Sequence, residues 1–209
     1  MSSTELSVTE SLSPPGSIVH RIESIVDRFD LAAMFPSPQP LEVELGSGDG
    51  SFLARYTQAH PERNFIGVER LLGRLRKLDR KSRRLKLTNI RGVRIESAYL
   101  VEYLLPKNSA SAIHVYFPDP WPKRKHRRNR IINARFTEIA HDALAPGGIV
   151  YLRTDHVEYF SQMVEVFAAN PAFTPVETPE ELSSVLTDFE KTFHARGIST
   201  QRAAYRRGA

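Results

Sequence analysis

A chain of 209 residues, 41% of them hydrophobic and 25% charged, is long enough for one ordinary domain with a complete core. The absence of cysteine excludes disulfide staples, thiol nucleophiles, iron–sulfur clusters and cysteine-ligated zinc, and no apolar run reaches the eighteen or so residues that span a bilayer. The net charge of +5 hides a sharper division: residues 51–135 carry 21 basic and 6 acidic side chains, a block of +15 set in a remainder of −10.

In chain order, residues 1–16 are rich in Ser, Thr and Pro and are expected to be a mobile tail, because so few large apolar groups cannot offset ordering entropy. They lack the basic start and apolar stretch of a secretory signal, which points to the cytoplasm without membrane attachment. Ile18, Ile22, Ile25, Val26 and Phe29 recur at spacings of three and four, so residues 17–40 are expected to hold a helix and then a linker broken by Pro36, Pro38 and Pro40. Over 41–209 short strand-like runs alternate with helical periods. This is the pattern of an α/β, Rossmann-like domain with a mostly parallel, doubly wound sheet and helices on both faces.

LEVEL is the first strand of that domain, SFLARYTQA a short helix and NFIGVE the second strand. Leu71, Leu75, Leu78 and Leu85 mark the buried stripe of a long helix whose other faces carry Arg74, Arg76, Lys77, Arg80, Lys81, Arg83 and Arg84. Strands follow near 93–95, 113–117 and 149–153, with helices over 132–144, ended by Pro146, Gly147 and Gly148, and over 157–169. Beyond Phe173 the pattern allows a short strand, a loop and a final edge strand.

Two segments carry the chemistry. In LEVELGSGDGSF, Gly46, Gly48 and Gly50 stand where the first strand turns into a helix, which permits a tight turn and close ligand approach to backbone N–H groups. Glu69, nineteen residues after Gly50 at the end of the second strand, is placed to accept hydrogen bonds from two ribose hydroxyls. The third glycine comes one residue early for a dinucleotide fingerprint, and Glu44 lies two residues before the first. An acidic group there suits the ammonium of S-adenosylmethionine better than the pyrophosphate of NAD. A Gly-rich turn with no ligand is the plain alternative.

The second segment is IHVYFPDPWPKRKHRRNR. Its strand ends near Phe117, setting Asp119 and Trp121 at the carboxyl edge of the sheet, where open α/β folds bind ligands. Pro118, Pro120 and Pro122 stiffen the loop. Trp121, the only tryptophan, either stacks on a base or caps the core. Lys123, Arg124, Lys125, Arg127, Arg128 and Arg130 are expected phosphate contacts. Together with the +15 block they make a nucleic acid the leading partner, against a merely solvated basic surface.

These stretches resemble the bacterial tRNA (guanine-N7)-methyltransferases of the single-subunit type, which are class I enzymes. The similarity runs over residues 40–198 and rests on ELGSGDG, the GVE ending at Glu69, FPDPWPK at 117–123, the RTD ending at Asp155 and TDFE at 187–190. The resemblance implies transfer of a methyl group from S-adenosylmethionine to N7 of a guanosine in the variable loop of tRNA. By position it assigns Glu44, the three glycines, Glu69, Glu96, Ser97, Ala98 and Asp119 to the cofactor, and Asp119 also to catalysis. Lys123, Asp155, Thr187, Asp188, Phe189 and Glu190 fall to the substrate. Asp155 also reads as the N-cap of the following helix.

Three departures stand out. An Asp expected after the third strand is Ser97, with Glu96 beside it, the usual Thr-Lys-Phe-Glu has Asp188 in place of its cation, and the tail STQRAAYRRGA diverges. Guanine N7 has an in-plane lone pair, so no general base is required. Asp119 is expected to position the purine and stabilise its developing charge. The scattered histidines show no metal-ligand spacing, so no metal is expected, and hydrolase and Walker motifs are absent. A monomer and a homodimer remain open. Competing readings are a non-catalytic RNA-binding protein on a degenerate fold, a methyltransferase acting at another RNA position, and an NAD-linked oxidoreductase.

Overall fold

In LEVEL, period-two alternation sends Leu41, Val43 and Leu45 to one face of the strand and Glu42 and Glu44 to the other, and the fold is built around that division. The computed structural model describes residues 16–208; nearly all of the expected tail therefore lies outside the described residues. The strands are β1 (Val19–His20), β2 (Leu41–Leu45), β3 (Asn64–Val68), β4 (Ile90–Val93), β5 (Ala110–Tyr116), β6 (Leu144–Thr154), β7 (Phe173–Val176) and β8 (Gln201–Arg207). They form one sheet in the order β1-β4-β3-β2-β5-β6-β8-β7. The first six run parallel, and β8 pairs antiparallel with both β6 and β7.

The helices are α1 (Leu31–Met34), α2 (Ser51–Ala59), α3 (Leu72–Arg84), α4 (Ser97–Tyr99), which runs on into a π-type turn, α5 (Ala134–Ala143), α6 (Val157–Ala168), α7 (Glu180–Ser184) and α8 (Asp188–Ala195). Val43, Leu45, Ile113, Val115, Val150 and Leu152 join Phe136, Tyr159 and Phe167 of α5 and α6 in one core. On the opposite face Phe52, Leu53 and Tyr56 of α2, Leu75 and Leu78 of α3, and Leu182 of α7 form a second. Glu42 and Glu44 point into this second layer. There Glu42 is satisfied: it accepts from Arg63 at 2.8 Å and bonds His114 at 2.7 Å, and His114 bonds the Tyr116 hydroxyl at 2.8 Å.

Two expectations are corrected. Residues 18–29 do not form a helix: Val19–His20 is an edge strand paired with Gly92 and Val93, so the segment belongs to the sheet. The Ile18 N–H donates to buried Asp79 of α3 at 2.9 Å, and a Cβ on Gly92 would come within 2.9 Å of Ile18. An open parallel edge gave the chain better partners than an isolated helix, and Ile25 and Val26 are left exposed. At the other end, β8 is not an edge strand but lies between β6 and β7, and the chain between β7 and β8 folds into α7 and α8.

Candidate active site

Chain order reverses at β2, which pairs with β3 on one side and β5 on the other. Open α/β sheets leave a ligand crevice at such a switch point. Gly46, Gly48 and Gly50 turn out of β2 with φ of 77°, 57° and 74°, a region that favours glycine. A Cβ on Gly50 would lie 2.3 Å from Leu78, so this glycine also sets how closely α3 approaches the loop. The Gly46 and Ser47 N–H groups donate to Val68 O at 2.9 and 2.8 Å and hold the turn against β3.

Behind the turn Glu44 is buried, and neither its Oε2 nor the Ser47 Oγ has a hydrogen-bond partner among the described residues. Burial pushes the Glu44 carboxyl up to about 8; Arg153 opposes that shift, and Asp49 and Glu69 add to it. A buried acceptor left open beside a glycine cradle is a place for a ligand that donates hydrogen bonds or carries positive charge. Glu69, also buried, accepts from the Leu71 N–H at 2.7 Å through Oε1, and Arg74 stands 4.0 Å from Oε2. Glu96, Ser97 and Ala98 follow β4, one strand further out, where the exposed Glu96 caps α4 by accepting from the Tyr99 N–H at 2.7 Å.

The loop after β5 is strained at both ends. Phe117 and Trp121 have φ of 51° and 41°, left-handed values that cost bulky residues on the order of 1–3 kcal/mol each. Two contacts hold it. The Phe117 N–H donates to Arg153 O at 2.8 Å, and Arg130 Nε donates to Pro120 O at 2.7 Å. Arg130 is fully buried. Its remaining nitrogens reach Glu158 at 2.6 and 3.2 Å and Gln162 at 2.5 Å, and its guanidinium lies 4.6 Å from the Tyr159 ring centre.

Arg130, expected to touch RNA phosphate, is therefore an internal clamp on the Pro-rich loop. Asp119 is exposed within that loop. Trp121 belongs to neither core and meets His126 edge-on at 5.8 Å, so it does not cap the interior. Lys123, Arg124, Lys125, Arg127 and Arg128 are exposed on or beside a 3-10 helix, and Arg127 pairs with Glu158 at 3.1 Å. Arg130→Met should lower stability by about 2–3 kcal/mol in urea unfolding, and Arg128→Ala by less than about 0.5 kcal/mol. Equal losses would show that Arg130 is no clamp.

Asp155 follows β6, the next strand over. It does not cap α6: His156 does, through Nδ1 accepting from the Tyr159 N–H at 3.2 Å, which leaves the Asp155 carboxylate free of that duty. The TDFE segment opens α8. Thr187 Oγ1 accepts from the Glu190 N–H at 3.0 Å while Glu190 Oε2 accepts from the Thr187 N–H at 2.8 Å, a reciprocal cap. Glu190 is fully buried and also takes Arg153 at 2.8 Å and Arg202 at 2.9 Å. Burial opposes its ionisation, yet the Thr187 N–H and the two guanidiniums hold the carboxyl below the usual range.

The expected guanosine contacts Thr187 and Glu190 are thus committed inside the protein, and the exposed members of the segment are Asp188 and Phe189. Phe189 lies 5.9 Å from Phe117, ring centre to ring centre. Asp188 pairs with Lys191 at 3.2 Å, and Arg55 of α2 stands 3.9 Å away.

Arg153, to which the sequence motifs assign no role, is a structural residue. It donates to Val185 O at 2.9 Å, Leu182 O at 2.6 Å and Glu190, and stacks 4.2 Å from Tyr116, fastening α7 and α8 to the sheet. Alternation along β6 held the signal, since Val150 and Leu152 face the first core and put Arg153 on the Glu44 side. Arg153→Met leaves a buried carboxylate with one cation fewer and should cost about 3–5 kcal/mol, read by chemical denaturation. A loss below about 1 kcal/mol would remove Arg153 from this role.

A family described as "Putative methyltransferase" matches residues 38–206. A protein of Hydrogenovibrio crunogenus named tRNA (guanine-N(7)-)-methyltransferase is 36% identical over 176 residues, 80% of this chain and 72% of that one. One of Geobacter metallireducens with the same name is 33% identical over 185 residues, 86% and 88% of the two chains. The chain belongs to the tRNA (guanine-N(7)-)-methyltransferase family. A further member of that family, from Nitrosospira multiformis, is 34% identical over 68% of this chain, which spans 62% of that relative's length. Among solved structures the 16S rRNA methyltransferase KamB shares the fold, with a TM-score of 0.64 at 13% identity over 87% of this chain and 95% of its own. Among the described residues no group of three His, Cys, Asp or Glu could hold a metal ion, and no helix is long and apolar enough to cross a membrane.

Proposed function

We propose that the chain transfers a methyl group from S-adenosylmethionine to N7 of a guanosine in the variable loop of tRNA. Within this family, the observation that carries the reading is the adjacency of two features at one sheet edge. The open carboxyl of Glu44 lies behind the glycine turn after β2, and the strained Pro-rich loop presents Asp119 after β5, its hydrogen-bonded neighbour. The donor supplies an electrophilic methyl group on a sulfonium centre.

Glu44 and Ser47 supply the unfilled acceptors for its ammonium end. Glu69, with one oxygen fixed by the Leu71 N–H, would offer the other to the ribose hydroxyls. Glu96, Ser97 and Ala98 border the adenine side. Asp119 would stand at the purine, whose N7 would use its own lone pair to form the new N–C bond as the methyl–sulfur bond of the donor breaks and leaves its electron pair on sulfur, so no proton need leave first. Fixing the two reactants in line can supply roughly 7–11 kcal/mol of the barrier reduction. Asp119 adds stabilisation of the positive charge that the purine acquires, with Asp155 on the next strand as a second carboxylate. Phe189 offers an exposed aromatic face, Thr187 and Glu190 position it, and Asp188 lies beside it. Lys123 and the exposed cations through Arg128 take backbone phosphates.

Incubation with labelled donor and unmodified tRNA, followed by chain scission selective for N7-methylguanosine, tests the proposal. Label at that guanosine is expected. Label elsewhere in the RNA would point to a different position, and donor binding with tRNA binding but no transfer would point to the non-catalytic reading.

A further inference from the structure

α3 is more basic than its structural work requires. Leu75 and Leu78 bury one side against the sheet, and Asp79 anchors β1. Around the remaining surface Lys77, Arg80, Lys81 and Arg84 follow the spacing i, i+3, i+4, i+7, so four cations share one stripe and line a groove of about 340 Å³. Like charges at these spacings destabilise a helix. The macrodipole favours cations in the last turn, which accounts for Lys81, Arg83 and Arg84 but not for Lys77 and Arg80 in the body of the helix.

Nor are the charges there for internal pairing. Arg74 meets Glu69, Arg83 meets Asp79 and Lys81 meets Asp49, whereas Lys77, Arg80 and Arg84 form no ion pair among the described residues. Lys81 joins the groove to the crevice: its Nζ donates to Asp49 at 2.8 Å and to Ser51 Oγ at 2.5 Å, on either side of Gly50. At about 1.5 Å per residue the helix is about 20 Å long, enough to meet several successive phosphates.

We propose that this groove is a second seat for the phosphodiester backbone of the substrate tRNA, separate from the basic run at 123–128. The inference rests on the function proposed above. A tRNA is far larger than the crevice, and a second anchor fixed to the glycine turn holds the target guanosine in register with the donor.

The test compares full-length parent with the variant Lys77→Ala/Arg80→Ala/Arg84→Ala and with a charge-matched control, Lys107→Ala/Arg196→Ala/Arg206→Ala, whose exposed cations lie on other elements. Fluorescence anisotropy with labelled unmodified tRNA is run across a salt series, and KM for tRNA is measured beside kcat and donor affinity. The α3 variant should bind tRNA roughly tenfold more weakly or worse near physiological salt, with the slope of log K against log salt shallower by about 2. Its KM for tRNA should rise while kcat and donor affinity hold. Its unliganded melting temperature should equal or exceed the parent's, because mutual repulsion has been removed. An α3 variant that binds like the parent, or a control that weakens binding as much, overturns the groove while leaving the proposed function standing. A parent that binds no tRNA fails the function itself.

Discussion

Asp119→Ala is expected to keep most of its affinity for the methyl donor and to methylate tRNA at a kcat lower by about 10²–10³. Asp119 makes no contribution to the core: it is exposed in a loop whose ends are Phe117 and Trp121 in left-handed conformation. Strain of that kind persists only where surrounding contacts over-determine it, here through Arg130 on Pro120 and Arg153 on Phe117. The substitution removes the carboxylate and leaves both contacts in place, so the free energy of unfolding should stay within about 0.5 kcal/mol of the parent's. Asp119→Asn separates charge from shape. If positive charge on the purine is what Asp119 stabilises, Asn recovers little of the lost rate; recovery to within threefold of the parent would reduce Asp119 to a spacer. Single-turnover transfer with saturating donor, alongside calorimetric donor affinity, reads both variants.

Glu44→Gln should weaken donor binding by about 100-fold, equivalent to about 2.7 kcal/mol, and at the same time make the unliganded protein more stable above neutral pH. The Glu44 carboxyl is buried, with Oε2 unpartnered, and titrates near 8 instead of its ordinary 4.5. Because the folded value is the higher one, its contribution to stability is complete below about 4.5 and is lost as pH rises through about 8. At the upper end the penalty for ionising an empty site is on the order of a few kcal/mol, and glutamine never incurs it. With the donor bound as proposed, the ionised carboxylate would gain the ammonium as a partner and the balance would reverse. Binding at pH 7 should therefore release close to one proton, seen as a dependence of the calorimetric enthalpy on buffer ionisation heat. Affinity should rise between pH 6 and 7.5 in the parent and not in Glu44→Gln. Proton release of zero in the parent, or unchanged affinity in the variant, would remove Glu44 from the ammonium site.

The same two strands show how much of the site can be read from residues alone. The glycine turn, Glu69 at the end of β3 and the Pro-rich loop after β5 are local: each depends on a few consecutive residues whose backbone preferences are strong, and their order along the chain implies a parallel sheet that brings them together. The destination of the charged side chains is not local. Arg130 and Arg128 stand two apart in one basic run, yet the first is buried on Glu158 and Gln162 and the second is exposed. A guanidinium can be buried only where distant carboxylates and carbonyls meet it, and those partners come from α6, a separate element. Glu190 likewise looks like a substrate contact in its motif and becomes the hub of Arg153 and Arg202 once β6, α8 and β8 are assembled.

From its residues alone, then, the chain specifies a parallel α/β sheet, two special turns after neighbouring strands and a basic middle, because hydrophobic periodicity, glycine and proline act within a few residues of themselves. Assembly decides the rest. The open edge of β4 drew residues 19–20 into a strand, the gap between β6 and β7 took up β8, and burial sorted otherwise similar arginines and glutamates into clamps and free surface. Those outcomes depend on hydrogen-bond partners and desolvation supplied from tens of residues away, which no local pattern encodes.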